Sequence, residues 1–201
     1  MPRIKQETVY TFDELSDSAK ERARQWWREA AGHDEWWDCT FEDAKQCLEV
    51  AGFRISNIYF SGFSSQGDGA CFEGTWSAHD TKPVKAMKQH APKDKELHRI
   101  AAEMRALAKA HKGASMSVKQ RGHYSHEFCT EFSVDFGDEE CNGNAEAMTA
   151  AEESIIETSR DAMRWIYRQL EKEYDYQNSD EVVDDTIRAN EYEFDEDGRR
   201  A

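Results

Sequence analysis

The sequence has no long apolar run, no closely spaced pair of cysteines and no signature of a metal or phosphate site. Hydrophobic residues make up 38% of the chain, and no stretch approaches the roughly 20 apolar residues that a membrane span needs. The N-terminal sequence MPRIKQETVY also lacks the apolar stretch of a signal peptide. These absences predict a soluble cytoplasmic protein with no membrane partner.

The cysteines do not form a disulfide pattern. There are five of them, an odd number, at widely spaced positions: Cys39, Cys47, Cys71, Cys129 and Cys141. Because cytoplasmic thiols are normally kept reduced, we expect all five to be free.

The chain is rich in aromatic residues, which account for 11% of it and include six tryptophans. Bulky rings are what disordered chains lack, so the composition favours a packed core. At 201 residues the natural prediction is one domain. We predict a single α+β domain over residues 1–190 and an acidic tail, residues 191–201, that either adds an edge strand or hangs free.

Two hairpins are predicted. Residues 53–78 contain two runs of aromatic and β-branched residues around a turn-forming loop, Ser64–Gly69, with a bulge expected near Ser56 and Asn57. A second pair of runs, at 116–119 and 128–136, flanks a turn at 121–123.

Helices fill most of the remainder. Capping residues and apolar spacing predict them at residues 18–32, 38–52, 93–112, 145–176 and 179–190, with a loop and one helical turn at 79–92. The order of elements predicts an antiparallel sheet of about four strands covered on one face by four to five helices.

Four features invite a functional interpretation, and each has a structural alternative. His123, His126 and Glu127 could bind a metal or be exposed turn residues. The Ser64–Gly69 loop could hold a phosphate or be an ordinary hairpin loop, and Cys71 beside it lacks an adjacent base. The two Trp-Trp pairs, at 26–27 and 36–37, could form an aromatic cage or a seam between helices. We predict no catalytic residue, no cofactor and no metal.

Charge is strongly segregated along the chain. The net charge of −15 divides into −7 for residues 1–81, +8 for residues 82–126 and −16 for residues 127–201. The basic middle segment could contact nucleic acid, or it could pair with the acidic third within the monomer or across a homodimer. Its candidate anion contacts are Lys85, Lys88, Lys93, Lys95, Arg99, Lys119 and Arg121.

The acidic C-terminal third is the strongest functional feature. Carboxylates along a helix and tail can imitate nucleic-acid phosphates and bind a basic groove on a partner, although a solubilising face is the simpler explanation. The candidate partner-binding residues are Glu171, Glu173, Asp175, Asp180, Glu181, Asp184, Asp185, Asp195, Glu196 and Asp197.

Three stretches of the chain carry a resemblance: YTFDELSDSAKERARQWW, YFSGFSSQGDGACFEG and MRWIYRQLEKEYDYQNSDEVVDDTIRANEYEFDEDGRR. They are similar to a family of uncharacterised small acidic proteins encoded by phages and prophages, some of which carry an antitoxin label. The resemblance implies a phage accessory protein in the bacterial cytoplasm and brings no catalytic residues.

By analogy with other small acidic phage proteins, we expect a non-enzymatic inhibitor of a basic host protein that handles nucleic acid or mediates defence, such as a nuclease or CRISPR-type complex. The alternatives are an antitoxin that neutralises one cognate toxin and a nucleic-acid-binding protein that uses the segment 82–121.

Overall fold

The computed structural model describes residues 8–30, 35–137 and 145–201. Contacts divide the chain into two compact units. Unit 1 comprises Met1–Trp36 and Lys172–Ala201, and unit 2 comprises Trp37–Glu171. The predicted end of the first helix near Gly32 lies outside the described residues, and so do residues 138–144 of the acidic turn that the sequence predicts at 137–144.

In chain order, the elements are β1 (Tyr10–Thr11), α1 (Asp17–Ala30), α2 (Asp38–Val50), β2 (Phe53–Phe60), β3 (Ala70–Ser77), α3 (Val84–His90), α4 (Lys95–Ala110), β4 (Ser115–Gln120), β5 (Thr130–Asp135), α5 (Ala145–Gln177), α6 (Asp180–Ala189) and β6 (Glu193–Phe194). Short 3-10 turns occur at Phe12–Glu14 and Ala78–Asp80. No helix in these described ranges is both long and apolar enough to cross a membrane.

The main sheet lies in unit 2. Its four strands are antiparallel in the order β2-β3-β4-β5, so the two predicted hairpins are joined through β3 and β4. The pairing of β2 with β3 shifts register between Ile55 and Asn57, which confirms the predicted bulge. The bulge restores the apolar face of a strand whose hydrophobic residues change parity.

Helices cover the apolar face of this sheet. Phe72, Trp76 and Met116 are almost completely buried in the strands, and α4 buries Leu97 and Met104. The predicted α+β architecture with an antiparallel four-stranded sheet is confirmed.

Local signals account for several helix ends. The side chain of Asp94 caps α4 by accepting a hydrogen bond from Leu97 N, and Ser179 caps α6 as predicted. Gly52 follows α2 with φ of +94°, and a Cβ at this position would lie 2.8 Å from the backbone oxygen of Ser77. Only glycine fits here without strain, so the helix ends where the sequence predicts.

Two sequence predictions need correction. Residues 84–90 form the helix α3 and not a single turn in a loop. The burial of Met87 holds α3 in place, and one buried residue in seven is too weak a pattern to read as a helix. In addition, β5 begins at Thr130, so Phe128 lies outside the strand and is 60% exposed.

Unit 1 has a small core of its own. Helix α1 contributes Ala19 and Ala23, α6 contributes Val183 and Ile187, and β6 contributes Phe194. Strand β6 pairs antiparallel with β1, with Tyr10 opposite Phe194. The C-terminal segment, one of whose predicted alternatives was an edge strand, therefore forms a separate two-stranded sheet with the N-terminal segment.

Candidate functional site

The four predicted partner-binding carboxylates of helix α6 form two pairs that lie on different sides of the helix. Asp180 and Asp184 lie one turn apart on the side that meets α1, and both accept hydrogen bonds from arginines of that helix. Glu181 and Asp185 lie one turn apart on another side and are exposed. The i, i+4 spacing places each pair on one face of the helix.

Arg24 of α1 bonds to the carboxylates on the side of α6 that meets α1. Its Nε and Nη2 donate to the two carboxylate oxygens of Asp184 at 2.6 and 2.8 Å. This bidentate bond is the main reason that the pKa of Arg24 is raised. The two side chains are only 19% and 15% exposed, so Asp184 is unavailable to a partner in this arrangement. Asp184 is a structural residue that joins α6 to α1.

Arg28 makes a similar connection. It donates from Nη2 to Asp180 Oδ1 at 2.6 Å and from Nε to the backbone oxygen of Asn178 at 3.1 Å. Asp180 remains 63% exposed, so one face of its carboxylate is still accessible. Asp180 therefore both stabilises the contact between α1 and α6 and adds negative charge to the surface.

Some carboxylates of the C-terminal segment are also already bonded to other groups of the protein. Asp195 Oδ1 accepts from the backbone N–H groups of Asp197 and Arg199, which closes the turn after β6. Asp197 lies 3.5 Å from Arg22 of α1. Glu196 between them is exposed and has no ion pair among the described residues.

After these contacts are made, unit 1 keeps an excess of negative charge. Its described residues contain 17 Asp and Glu against 8 Lys and Arg, a formal charge of −9. Its six described arginines all bond to acidic side chains or backbone oxygens, with Arg188 joined to Asp13 and Asp185 and Arg200 donating to Glu193 O.

Among the predicted residues of this unit, Asp175, Glu181 and Glu196 are exposed without an ion pair in the described ranges, and Glu173 bonds to Gln177. We call Asp175, Glu181, Asp185 and Glu196 the free acidic residues; Asp185 is included because it is 74% exposed despite its bond to Arg188. Glu171 is also exposed but belongs to unit 2.

The candidate anion contacts of the basic segment divide by residue type. Arg99 bonds to Glu103 and to Asp161, and Arg121 bonds to Glu131, so both arginines are neutralised within unit 2. The lysines are different. Lys85, Lys88, Lys93, Lys95 and Lys119 are exposed, and none has an ion pair among the described residues. Within the described residues, Arg99 and Arg121 are therefore the two candidate contacts that pair with carboxylates of the acidic third.

The histidine pair does not form a metal site among the described residues. His126 Nδ1 lies 3.0 Å from Glu127, but Glu127 is buried and also accepts from Arg164 at 2.9 Å. His126 stacks on Phe128, whose exposed ring is also contacted by the guanidinium of Arg160 at 4.9 Å. The ring and ion contacts fix the shape of this loop.

The loop Ser64–Gly69 is closed by its own aspartate. Asp68 Oδ2 accepts from the backbone N–H groups of Ser64 and Ser65 at 2.9 and 2.6 Å. A phosphate would have to displace this carboxylate to reach the two N–H groups, so the ordinary hairpin loop fits better. Burial raises the pKa of Cys71 to about 12, which leaves its thiol neutral and unreactive.

The paired tryptophans pack against other rings. Trp26 makes edge contacts with Tyr192 and Phe194 at 5.3 and 5.7 Å in unit 1. Trp37 contacts Phe60 at 5.3 Å in unit 2. These contacts favour the packing explanation over an aromatic cage.

One group of potential metal ligands was missed by the sequence analysis. Asp43 and Cys47 of α2 come together with His90 at the end of α3. Burial, followed by the charges of Asp43 and Asp94, raises the pKa of Cys47 to about 12. The only signal in the sequence is the spacing of Asp43 and Cys47 by one helical turn, because His90 is 43 residues further along the chain.

Comparisons with known proteins place the chain in a family without assigning an activity. No curated protein and no solved structure matches it. A family model with the description "Domain of unknown function (DUF8835)" matches residues 36–180, which include all of unit 2. The match covers well over half of the chain, and the protein therefore belongs to the DUF8835 family.

Proposed function

We propose that this protein is a non-enzymatic phage accessory protein that binds and inhibits a basic host protein in the bacterial cytoplasm. The target class is a protein that handles nucleic acid or mediates defence, such as a nuclease or a CRISPR-type complex. The observation that carries the proposal is the exposure of the outer α6 carboxylates. Asp184 is held by Arg24 and only 15% exposed, whereas Glu181 is exposed without an ion pair in the described ranges and Asp185 is 74% exposed despite its bond to Arg188.

The spacing of the exposed pair is compatible with phosphate mimicry. Residues four apart on a helix are separated by about 6 Å along its axis. Successive phosphates of one DNA strand rise about 3.4 Å along the helix axis, and the rotation between them makes their direct separation roughly twice that rise. A helix that presents Glu181 and Asp185 can therefore address a groove that accepts a nucleic-acid backbone.

The surrounding charge supports rapid binding to a basic partner. The formal charge of −9 on unit 1 attracts a positive surface over distances comparable to the Debye length, about 8 Å at physiological ionic strength. Such binding weakens as salt is added, because screening removes the attraction.

The experiment compares two charge reversals of equal size. Tagged wild type, E181K/D185K and E152K/E153K are used to capture partners from bacterial lysate at low and moderate salt, and the bound proteins are identified by mass spectrometry. Glu152 and Glu153 are exposed on α5 in unit 2, so this control changes net charge by the same amount.

We expect wild type and the control to retain the same basic protein and moderate salt to release it. The E181K/D185K variant should lose it. Equal retention by both variants, or capture of no basic protein at all, would contradict the proposed role of this face. Reversal of Asp184 is unsuitable as a test, because it would break the bond to Arg24 that joins α1 and α6.

A second candidate function, direct nucleic-acid binding, is favoured by the exposed lysines of unit 2. Lys85, Lys88, Lys93 and Lys95 lie within eleven residues of one another and have no carboxylate partner in the described ranges. A gel-shift assay at low salt tests this function. Binding that is lost in K85E/K88E and kept in E181K/D185K would support it over protein inhibition.

A further inference from the structure

Three side chains with metal-binding chemistry converge between α2 and α3. Asp43 and Cys47 share one face of α2, because they are four residues apart. His90 is the last residue of α3, and its Nε2 lies 3.0 Å from Asp43 Oδ1. Cys47 Sγ lies 3.9 Å from Asp43 Oδ2. One donor atom from each residue can be chosen so that all three lie within 4.8 Å of one another.

We propose that Asp43, Cys47 and His90 bind a divalent ion of the zinc class. Thiolate, imidazole and carboxylate are the ligands that zinc takes in proteins, whereas Mg²⁺ and Ca²⁺ select oxygen donors. This site is separate from His123, His126 and Glu127, the metal-binding candidates of the sequence, which lie elsewhere in unit 2.

The distances fit this assignment. Zinc–ligand bonds of about 2.0 Å to nitrogen and oxygen and about 2.3 Å to sulfur place tetrahedral donors about 3.3 to 3.5 Å apart. The observed separations are 3.0 Å from His90 Nε2 to Asp43 Oδ1 and 3.9 Å from Cys47 Sγ to Asp43 Oδ2, and one donor from each residue lies within 4.8 Å of the other two. An ion would therefore draw the three donors together by no more than about 1.5 Å.

Access and charge also favour a cation here. Cys47 is buried at the base of the site, while the side chains of Asp43 and His90 are 62% and 40% exposed. The exposed ligands can therefore close over an ion that enters from solvent. The nearby carboxylate of Asp94 adds negative charge, but its two oxygens already accept from Leu97 N and Trp165 Nε1.

Binding would tie α3 to α2. Three protein ligands leave one position of a tetrahedral ion open to water or to a partner. When the ion binds, the Cys47 S–H proton is released to solvent and the thiolate sulfur donates its electron pair to the metal, so no redox step is involved. The end of α3, a seven-residue helix, is already joined to α2 by the contact between His90 and Asp43, and the ion would extend this connection to the buried Cys47.

Cobalt titration tests the site on tag-free, chelator-treated protein with a non-thiol reductant. We expect one Co²⁺ per chain, visible d–d bands of a four-coordinate ion, a near-ultraviolet thiolate-to-cobalt charge-transfer band and full displacement by Zn²⁺. His90→Ala and Asp43→Ala should each weaken binding at least about 10-fold, a loss that even outer ligand partners can cause. Cys47→Ser should remove the charge-transfer band.

The controls use residues of the same types outside the site. His79→Ala changes another exposed histidine of unit 2, and Cys39→Ser removes an exposed thiol, and both should bind cobalt as wild type does. Because Asp43 and His90 are exposed, their variants should keep the native circular dichroism spectrum. Absence of the charge-transfer band in wild type, or unchanged affinity in folded His90→Ala, would overturn the proposal.

Discussion

The bond between Arg24 and Asp184 makes a quantitative prediction about stability. We expect Asp184→Ala to destabilise the packing of α1 against α6, because the substitution removes both acceptors of a bidentate hydrogen bond. Arg24 does not become isolated, since Glu21 lies 3.2 Å and Asp180 3.6 Å from its Nη1. The loss should therefore be smaller than for a fully buried ion pair.

The size of the effect follows from the exposure of the pair. Hydrogen bonds to charged groups contribute about 1.5 to 3 kcal/mol each, and fully exposed ion pairs contribute about 0.2 to 1 kcal/mol. Side chains that are 19% and 15% exposed fall between these limits. We expect the free energy of unfolding to fall by about 1 to 3 kcal/mol, which for a chain of this length lowers Tm by about 2 to 12 °C.

The assay combines thermal unfolding with amide hydrogen exchange read by mass spectrometry. Asp185→Ala is the matched control, because Asp185 lies on the same helix, is 74% exposed and contacts only Arg188 among the described residues. We expect exchange to rise in peptides from α1 and α6 of Asp184→Ala and to stay unchanged in peptides from β3 and β4. Equal stability of the two variants would refute the structural role of Asp184.

Three further predictions concern Gly198, Glu73 and Cys39. Gly198→Ala should lower Tm more than Gly67→Ala, because both have positive φ but a Cβ at Gly198 would collide with the α1 backbone. A hydrogen bond from Tyr59 is the main reason that the pKa of Glu73 is lowered. The resulting stabilisation of the folded state is complete above the unfolded pKa of about 4.3 and is lost as the pH falls through the folded pKa. The free energy of unfolding of Glu73→Gln, measured with urea, should not show this loss as the pH falls. Peptide-mapped alkylation at neutral pH should modify exposed Cys39 long before buried Cys47.

Features set by neighbouring residues could be predicted from the sequence. The Ser179 cap and the bulge after Ile55 occur where the pattern placed them. Each depends on residues within one turn or one strand, so the interactions that form it are already contained in a short stretch of sequence.

Helix α3 shows the limit of such patterns. Its seven residues begin after Pro83 and bury only Met87, so their apolar spacing resembles that of a loop. The missing information is tertiary, because contacts with α2 and α4 stabilise a helix too short to be stable alone. The group of Asp43, Cys47 and His90 was missed for the same reason, since it exists only when α3 packs beside α2.

The sequence predicts how charge is distributed along the chain, but it does not show which charged residues of α1 and α6 pair with each other. Arg24 and Asp184 are 160 residues apart, and no local pattern shows that they meet. Counting charges therefore overstated the acidic surface. Of the ten predicted partner-binding residues, Asp180, Asp184, Asp185, Asp195 and Asp197 have arginine partners in the described part of the chain.

The free acidic residues set an upper limit on the electrostatic part of any partner binding. A carboxylate in a shielded arginine pair, such as Asp184, contributes little further attraction to a basic surface, whereas Asp185 is 74% exposed despite its bond to Arg188 and still attracts one. The salt dependence of binding should then follow the free acidic residues and not the net charge of −15. A variant that neutralises Glu181 and Asp185 should reduce the slope of log affinity against log salt, whereas one that neutralises Glu152 and Glu153 in unit 2 should leave it unchanged. Equal slopes for both variants would mean that overall charge, and not this face of α6, drives binding.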